Sequence, residues 1–364
     1  MKIAIDISQI IYGTGVSVYT RNLVASLVKL YPEDQYLLYG SSFRRQNELK
    51  TFCQRLKVQS KIFLMPPRLA DLIWNSFHIL PIEKIIGQVD LIHTSDWIEP
   101  PSKIPKVTTV HDLVPLKYKE TTASNIYHTH RKKLAWVSRE SKAVIAVSES
   151  TKKDLIKDLL MDPKKVFVTL EGVESFYRPQ PPSLVDQVKK KYNLDGDYLI
   201  CLSTIEPRKN QTNLIKAYLQ VKKTYPKLKL LIGGKTGWGD IPQAIDGVIM
   251  PGFIPDADLP ALYTGCEAFV LPSLYEGFSL AHLSAMACGA PVVGSNISSM
   301  PEVIGRSGVL VDPKSVEDIA AGIIRAVENK LDFREKSLKR ASLFSWEETA
   351  RLTHQVYESV VKNK

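Results

Sequence analysis

The sequence predicts an α/β protein of two doubly wound domains facing each other across a cleft. Three observations predict it. Short β-branched runs alternate with longer helical patterns in both halves, the signature of parallel sheets with crossover helices. A length of 364 residues suits two domains of about 150 residues, each able to bury a core. Between the halves, Tyr177-Arg-Pro-Gln-Pro-Pro182 breaks both periodicities, because proline fixes φ and biases the preceding residue to extended geometry, and it reads as the interdomain linker.

In the first half, strands are expected over 3–5, 35–38, 62–64, 91–93, 107–110, 144–146 and 166–169. In the second they are expected over 199–202, 229–232, 248–250, 268–271, 291–293 and 309–311. Helices fit between them, notably 20–30, 150–160, 212–224, 259–265 and 316–329. The last segment, 346–361, carries Ala350, Leu352, Val356, Tyr357 and Val360 at helical spacing and is expected to lean back on the first domain. The predicted domains are therefore 1–177 together with 346–364, and 178–345.

No apolar run approaches the ~18 residues of a membrane span, and the chain opens directly on the strand pattern Lys2-Ile-Ala-Ile-Asp6. A cytoplasmic protein is the expectation. Cys53, Cys201, Cys266 and Cys288 are scattered, which favours buried free thiols over disulfides or a zinc site. The net charge of +10 is one-sided: 28 Lys and Arg face 19 Asp and Glu in residues 1–190, against 20 and 19 in 191–364. The clusters run from Arg44 to Lys61 and from Lys117 to Lys142. Such a half suits peripheral contact with an anionic membrane or a pyrophosphate-linked acceptor, or it is a solvated lysine-rich surface. Nucleic acid is not expected, since no binding motif accompanies the charge.

Four segments carry candidate chemistry. Gly13-Thr14-Gly15 lies between the first strand and the first helix, where glycine lets backbone approach an anion. The third glycine of a dinucleotide fingerprint is absent, Val18 standing there, which argues against NAD. His111 closes the strand 107–110, at a carboxyl end where ligands bind in such sheets. Glu206-Pro-Arg208-Lys209-Asn210 sets two cations at a helix start, electrostatically misplaced unless an anion joins them; Asn210 also reads as a cap. Glu276-Gly277-Phe278-Ser279-Leu280 puts a carboxylate and amide N–H groups where a buried strand hands over to a helix. Ser298-Ser-Met-Pro-Glu302 reads as a loop and short helix, touching a nucleotide or only capping. Asp195-Gly-Asp197 and Asp256-Ala-Asp258 do not read as metal sites; Asp256-Ala-Asp258 reads as helix capping. No metal or cofactor is expected.

In this order these motifs, with Val-Ser-Glu-Ser at 147–150 and Gly-Gly-Lys-Thr-Gly-Trp-Gly at 233–239, resemble glycosyltransferase family 4. The resemblance spans essentially the whole chain and is similar in its Glu-Pro-Arg-Lys-Asn form to bacterial mannosyl- and rhamnosyltransferases of polysaccharide assembly. It implies the GT-B fold of two facing Rossmann-like domains and retaining, metal-independent transfer of a hexose from a nucleotide-diphosphate sugar, GDP-mannose first, to a glycan or lipid-linked acceptor held by the first domain. It assigns Glu276 and His111 to the donor sugar and Arg208 and Lys209 to the diphosphate. Phe278, Ser279 and Leu280 add amides, and Gly13–Gly15 close over the phosphates.

One departure stands out. The family pattern is Glu-x7-Glu, and Ser284 occupies the second position, where the family's glutamate grips the ribose. Losing one or two charge-assisted hydrogen bonds weakens donor binding about ten- to a hundredfold. Ser279 and Ala281 stand where glycine and proline are usual, and His282 where an apolar residue or proline is common. A weakened or inactive sugar-nucleotide-binding relative is thus the alternative to an active transferase. A nucleotide-sugar epimerase of the same fold and a membrane-surface adaptor are further readings.

Overall fold

The computed structural model describes residues 1–95, 97–235, 237 and 245–362. Thr236, Trp238 and Gly239 of the glycine-rich run at 233–239, and the last two residues of the expected 346–364 segment, lie outside the described residues. The chain divides into two compact units, Met1–Gly172 with Ser345–Lys364, and Val173–Phe344.

The crossing between units does not use the proline-rich run, which lies inside the second unit. Pro182 instead starts a helix, with Pro181 as its N-cap, positions where fixed φ and a missing N–H cost nothing. The crossing occurs at Gly172, where a Cβ would stand 2.3 Å from the backbone nitrogen of Trp346. Outgoing and returning segments touch backbone to backbone there, which only glycine permits.

In the first unit the strands are β1 (Lys2–Asp6), β2 (Gln35–Ser41), β3 (Gln59–Phe63), β4 (Leu91–Ser95), β5 (Lys106–Val110), β6 (Ala143–Ala146) and β7 (Val166–Val168). They form one parallel sheet in the order β3-β2-β1-β4-β5-β6-β7. In the second unit β8 (Tyr198–Leu202), β9 (Lys229–Gly233), β10 (Val248–Gly252), β11 (Ala268–Leu271), β12 (Val292–Ser295) and β13 (Val309–Val311) form a parallel sheet ordered β10-β9-β8-β11-β12-β13. Helices cover parallel sheets on both faces, so strand residues are buried without alternation; β4, β5, β6 and β11 are buried throughout. Even Lys106 is buried on β5, paired with Glu99 at 3.0 Å and Glu140 at 2.6 Å.

The longer helices are α1 (Gly15–Leu30), α2 (Gln46–Leu56), α3 (Ser124–Glu140), α4 (Glu149–Leu159), α5 (Pro182–Lys191), α6 (Gln211–Thr224), α7 (Leu259–Gly265), α8 (Leu280–Ala287), α9 (Val316–Glu328), α10 (Lys330–Ala341) and α11 (Trp346–Lys362). α1 starts at Gly15, ahead of the expected Thr20, because the Thr14 N–H donates to Ser17 Oγ and the Ser17 N–H to Thr14 O, a local closure that starts the helix early. α11 belongs to the first unit and buries Trp346, Ala350, Thr353, Val356, Tyr357 and Val360, one face of a helix. Tyr357 Oη lies 2.5 Å from His93 Nδ1, and His354 Nε2 2.8 Å from Asp34.

Part of the basic charge of the first unit is neutralised internally. Lys117 meets Asp154 at 2.8 Å and Asp158 at 2.9 Å, Arg45 clasps Glu48, and Lys133 is buried. All four cysteines are buried free thiols, and no cluster of metal-ligating side chains occurs among the described residues.

Candidate active site

Strand order reverses between β8 and β11 in the second unit and between β1 and β4 in the first. Such switch points open a crevice beyond the carboxyl ends of the strands, because the two connections leave in opposite directions. In the second unit the two loops leaving that point carry Glu206–Asn210 and Glu276–Leu280.

The loops are tied to each other. The Leu274 N–H donates to Arg208 O at 2.8 Å, and the Arg208 guanidinium donates back to Tyr275 O at 2.6 Å. Lys209 Nζ donates to Glu276 Oε1 at 2.6 Å, and Arg208 Nη1 lies 3.2 Å from Glu276 Oε2. Arg208 also pairs with Glu206, and Ser273 Oγ donates to Glu276 Oε1 at 2.6 Å. The anion that the adjacent cations require is thus supplied within the chain by two carboxylates. Burial pushes the Glu276 carboxyl upward, but Lys209, Arg208 and the Ser273 hydroxyl outweigh it and hold it at about 2, so the group is a carboxylate at neutral pH.

Linkage gives this pairing a pH signature. A carboxyl whose pKa falls on folding stabilises the fold above its unfolded value, and that contribution is lost as pH falls through the folded value. From 4.5 down to about 2, the loss is on the order of 3 kcal/mol. Urea melts at pH 6 and pH 3 should show a smaller acid loss for Glu276→Gln than for wild type; equal losses would contradict the pairing.

Asn210 is the N-cap residue of α6 but does not cap it with its side chain. It occupies the left-handed region at φ 63° and makes no side-chain cap bond; its Nδ2 reaches Pro272 O at 3.0 Å and Pro313 O at 2.7 Å, lashing three loops together. Asp258 does not cap α7 with its side chain either, because its carboxylate receives Lys191 and the Tyr192 hydroxyl, each at 2.6 Å. Ser298 Oγ donates to Glu276 O at 2.6 Å, while Ser299 Oγ lies 2.9 Å from both Glu276 O and Phe278 O. This loop therefore braces the turn Glu276–Phe278. Ser284 is buried on α8. Burial raises the Tyr177 phenol above its ordinary value, and the nearby Ser284 hydroxyl acts the other way. A longer side chain at 284 would meet that phenol.

In the first unit, Gly13, Thr14 and Gly15 are exposed at the start of α1. Gly13 adopts φ 67° with nothing within 4 Å of an added Cβ; the positive φ is what requires glycine there. Tyr19 of the same helix meets His111 edge-on, ring centroids 4.7 Å apart. His111 Nε2 lies 3.1 Å from Ser95 Oγ and Nδ1 3.5 Å from Glu171. Burial raises the Glu171 carboxyl, and the His111 contact opposes that rise.

Sequence reading singled out Arg208, Lys209 and Glu276, which meet, and Gly13–Gly15 and His111, which belong to the other unit. It missed Ser273, Glu171 and the bracing role of Ser298 and Ser299. None has a motif of its own; Ser273 was findable as the residue three before the glutamate at the end of a buried strand.

Comparison with known proteins matches residues 13–175 to the model of Glycosyltransferase Family 4 and residues 185–343 to that of Glycosyl transferases group 1. O-antigen chain mannosyltransferase B of Escherichia coli is 33% identical over 269 residues, covering 69% of this chain and 70% of that protein. The serotype-specific mannosyltransferase WbdA of Escherichia coli is 32% identical over 278 residues, 71% of this chain but 34% of WbdA. Among solved structures, Anabaena HepE in complex with UDP and glucose superposes with a TM-score of 0.73 at 17% identity, covering 99% of this chain and all of HepE. WaaG, a glycosyltransferase involved in lipopolysaccharide biosynthesis, gives 0.74 at 13% identity, with 98% and 99% covered.

Proposed function

This chain belongs to glycosyltransferase family 4 and has the GT-B fold, and from that premise we propose that it transfers mannose from GDP-mannose, with retention and without a metal, to a glycan or lipid-linked acceptor. The mannosyltransferases it resembles at 32–33% identity support the sugar. The observation that carries the reading is the meeting of Lys209, Arg208 and Glu276 at the switch point of the second sheet. Two cations beside a carboxylate can divide the work: the cations take the diphosphate, and the carboxylate receives the sugar hydroxyls.

In the proposed reaction the bond from the anomeric carbon to the β-phosphate oxygen breaks while the acceptor oxygen attacks the same face. Positive charge builds on the sugar and negative charge on the departing GDP. Lys209 and Arg208 stabilise the second, the ionised Glu276 the first, and the leaving phosphate takes the acceptor's proton. Charge stabilisation preorganised in a water-poor site is the largest contribution to many such barriers, and two fixed cations can supply what a metal supplies elsewhere. His111, held by Ser95 and Glu171, is assigned to the donor sugar's hydroxyls. An inactive sugar-nucleotide-binding relative is the second reading, which Ser284 favours.

Incubation with GDP-, UDP-, ADP- and dTDP-sugars and a lipid-linked glycan tests this. Release of GDP from GDP-mannose with gain of one α-linked mannose is expected. Binding without release would establish the inactive reading, and interconversion of donors without acceptor would establish an epimerase.

Peripheral membrane contact from the cytoplasmic side belongs to the same proposal. No helix of the described residues is long and apolar enough to cross a membrane. Leu64, Leu69, Leu72, Phe77 and Ile79 are exposed in one stretch of the first unit, with exposed Lys61 and Arg68 beside them in sequence. Apolar tips among cations suit an anionic interface. Sedimentation with phosphatidylglycerol vesicles should fall with salt and fall further in Leu72→Ser/Phe77→Ser; no sedimentation at low salt would contradict it.

A further inference from the structure

Ser279 is the N-cap of α8 and sits at φ 87°, ψ 58°, a left-handed conformation that side-chain-bearing residues rarely adopt. Serine at an N-cap ordinarily keeps an extended backbone and accepts a hydrogen bond from the N–H two or three residues on. Ser279 does neither. Its side chain makes no cap bond, and Oγ lies 2.6 Å from His282 Nδ1. His282 is fully buried, with Nε2 3.3 Å from Val293 O. A carbonyl only accepts, so Nε2 carries the proton, Nδ1 accepts, and the serine hydroxyl donates. Burial holds the ring well below the ordinary histidine value, at about 4, so it is neutral. The ring has room because residue 294 is glycine: a Cβ there would stand 2.7 Å from Nε2. Phe269 meets the other side edge-on at 5.1 Å.

We propose that Ser279 and His282 form a positioning pair, in which the buried imidazole draws the serine hydroxyl away from capping and pins the left-handed turn that joins Glu276 to helix α8. The first intrahelical bond of α8 is Leu283 N–H to Ser279 O, 3.4 Å, so the amides of Leu280, Ala281 and His282 precede it. A capping hydroxyl would engage one of them; diverted to His282, it leaves them to a ligand anion. The pair does what glycine does without help at such a turn, and it also fixes the span from Glu276 to α8. This deepens the donor-diphosphate reading above and rests on it.

The test is a cycle read by calorimetric titration with GDP and with UDP. Ser279→Ala leaves the ring and its packing in place and removes the donor; it should weaken nucleotide affinity about tenfold. His282→Leu keeps volume and removes the acceptor, and should cost a similar factor. His282→Asn, whose Oδ1 returns an acceptor near the Nδ1 position, should recover most of it. In a Ser279→Gly background, His282→Leu should cost less than about twofold, since glycine holds the turn unaided. Equal costs of His282→Leu in the wild-type and Ser279→Gly backgrounds would overturn the proposal and leave His282 a packing residue. If the wild-type chain binds neither GDP nor UDP, the donor reading fails instead. Thermal melts of the same proteins then decide the pair: coupled losses support it, additive losses overturn it.

Discussion

Glu276→Gln abolishes sugar transfer and tightens the grip on the departing nucleotide. The carboxylate is the counter-ion of Lys209 and Arg208, at 2.6 and 3.2 Å. A diphosphate entering there competes with it for both cations and meets its negative charge at close range. The amide keeps the shape and removes the charge, so the cations are freed and the repulsion is gone. GDP affinity should therefore rise about tenfold, the scale of one charge-assisted bond. Turnover should fall by about a thousandfold or more, because nothing then balances the positive charge on the sugar in the transition state. Titration with GDP and initial rates with GDP-mannose check the two halves on one protein. Retained turnover would remove Glu276 from the chemistry; weakened GDP binding would show that the pairing prepares the site rather than competing for it.

Lys209→Met has the second large effect, and it falls on stability as well as binding. It leaves the buried Glu276 carboxylate with Ser273 and with Arg208, which Glu206 already engages. Removing one partner of a buried pair costs about 3–5 kcal/mol, because the remaining charge stays in a poorly solvating site. Chemical melts should show a loss of that order at pH 7, and adding Glu276→Gln should restore much of it. Donor affinity should fall about a hundredfold in the single variant. A loss below about 1 kcal/mol, the range of an exposed pair, would mean that Lys209 and Glu276 are not coupled in the folded chain.

Much of this was legible in the chain itself, for identifiable reasons. Runs such as Ala268–Leu271 are apolar at every position because parallel strands are covered on both faces, and that pattern marked the sheets. The convergence of residues 208, 209 and 276 followed from two motifs placed after buried strands, since the switch point gathers such loops. The crossing between units was misread because prolines are conspicuous and a single glycine is not; Gly172 matters only once Trp346 returns beside it. The basic helices α3 and α10 each bury only three residues, Lys133, Leu134 and Val137 in one and Phe333, Ser337 and Ala341 in the other, so little of their sequence is a continuous apolar stripe. Asn210 and Asp258 look like caps in sequence, yet distant partners claim their side chains. Likewise, Ser279 and His282 read as departures from a motif until the structure placed the hydroxyl on the ring and the ring against Gly294. Contacts between residues far apart in the chain leave no local signal.

A crystal structure with GDP bound tests the central claim most directly. The account predicts β-phosphate oxygens about 3 Å from both Lys209 Nζ and the Arg208 guanidinium, facing the first amides of α8, with at least one of the Glu276 ion pairs broken. Phosphates bound elsewhere, with both pairs to Glu276 intact, would contradict it.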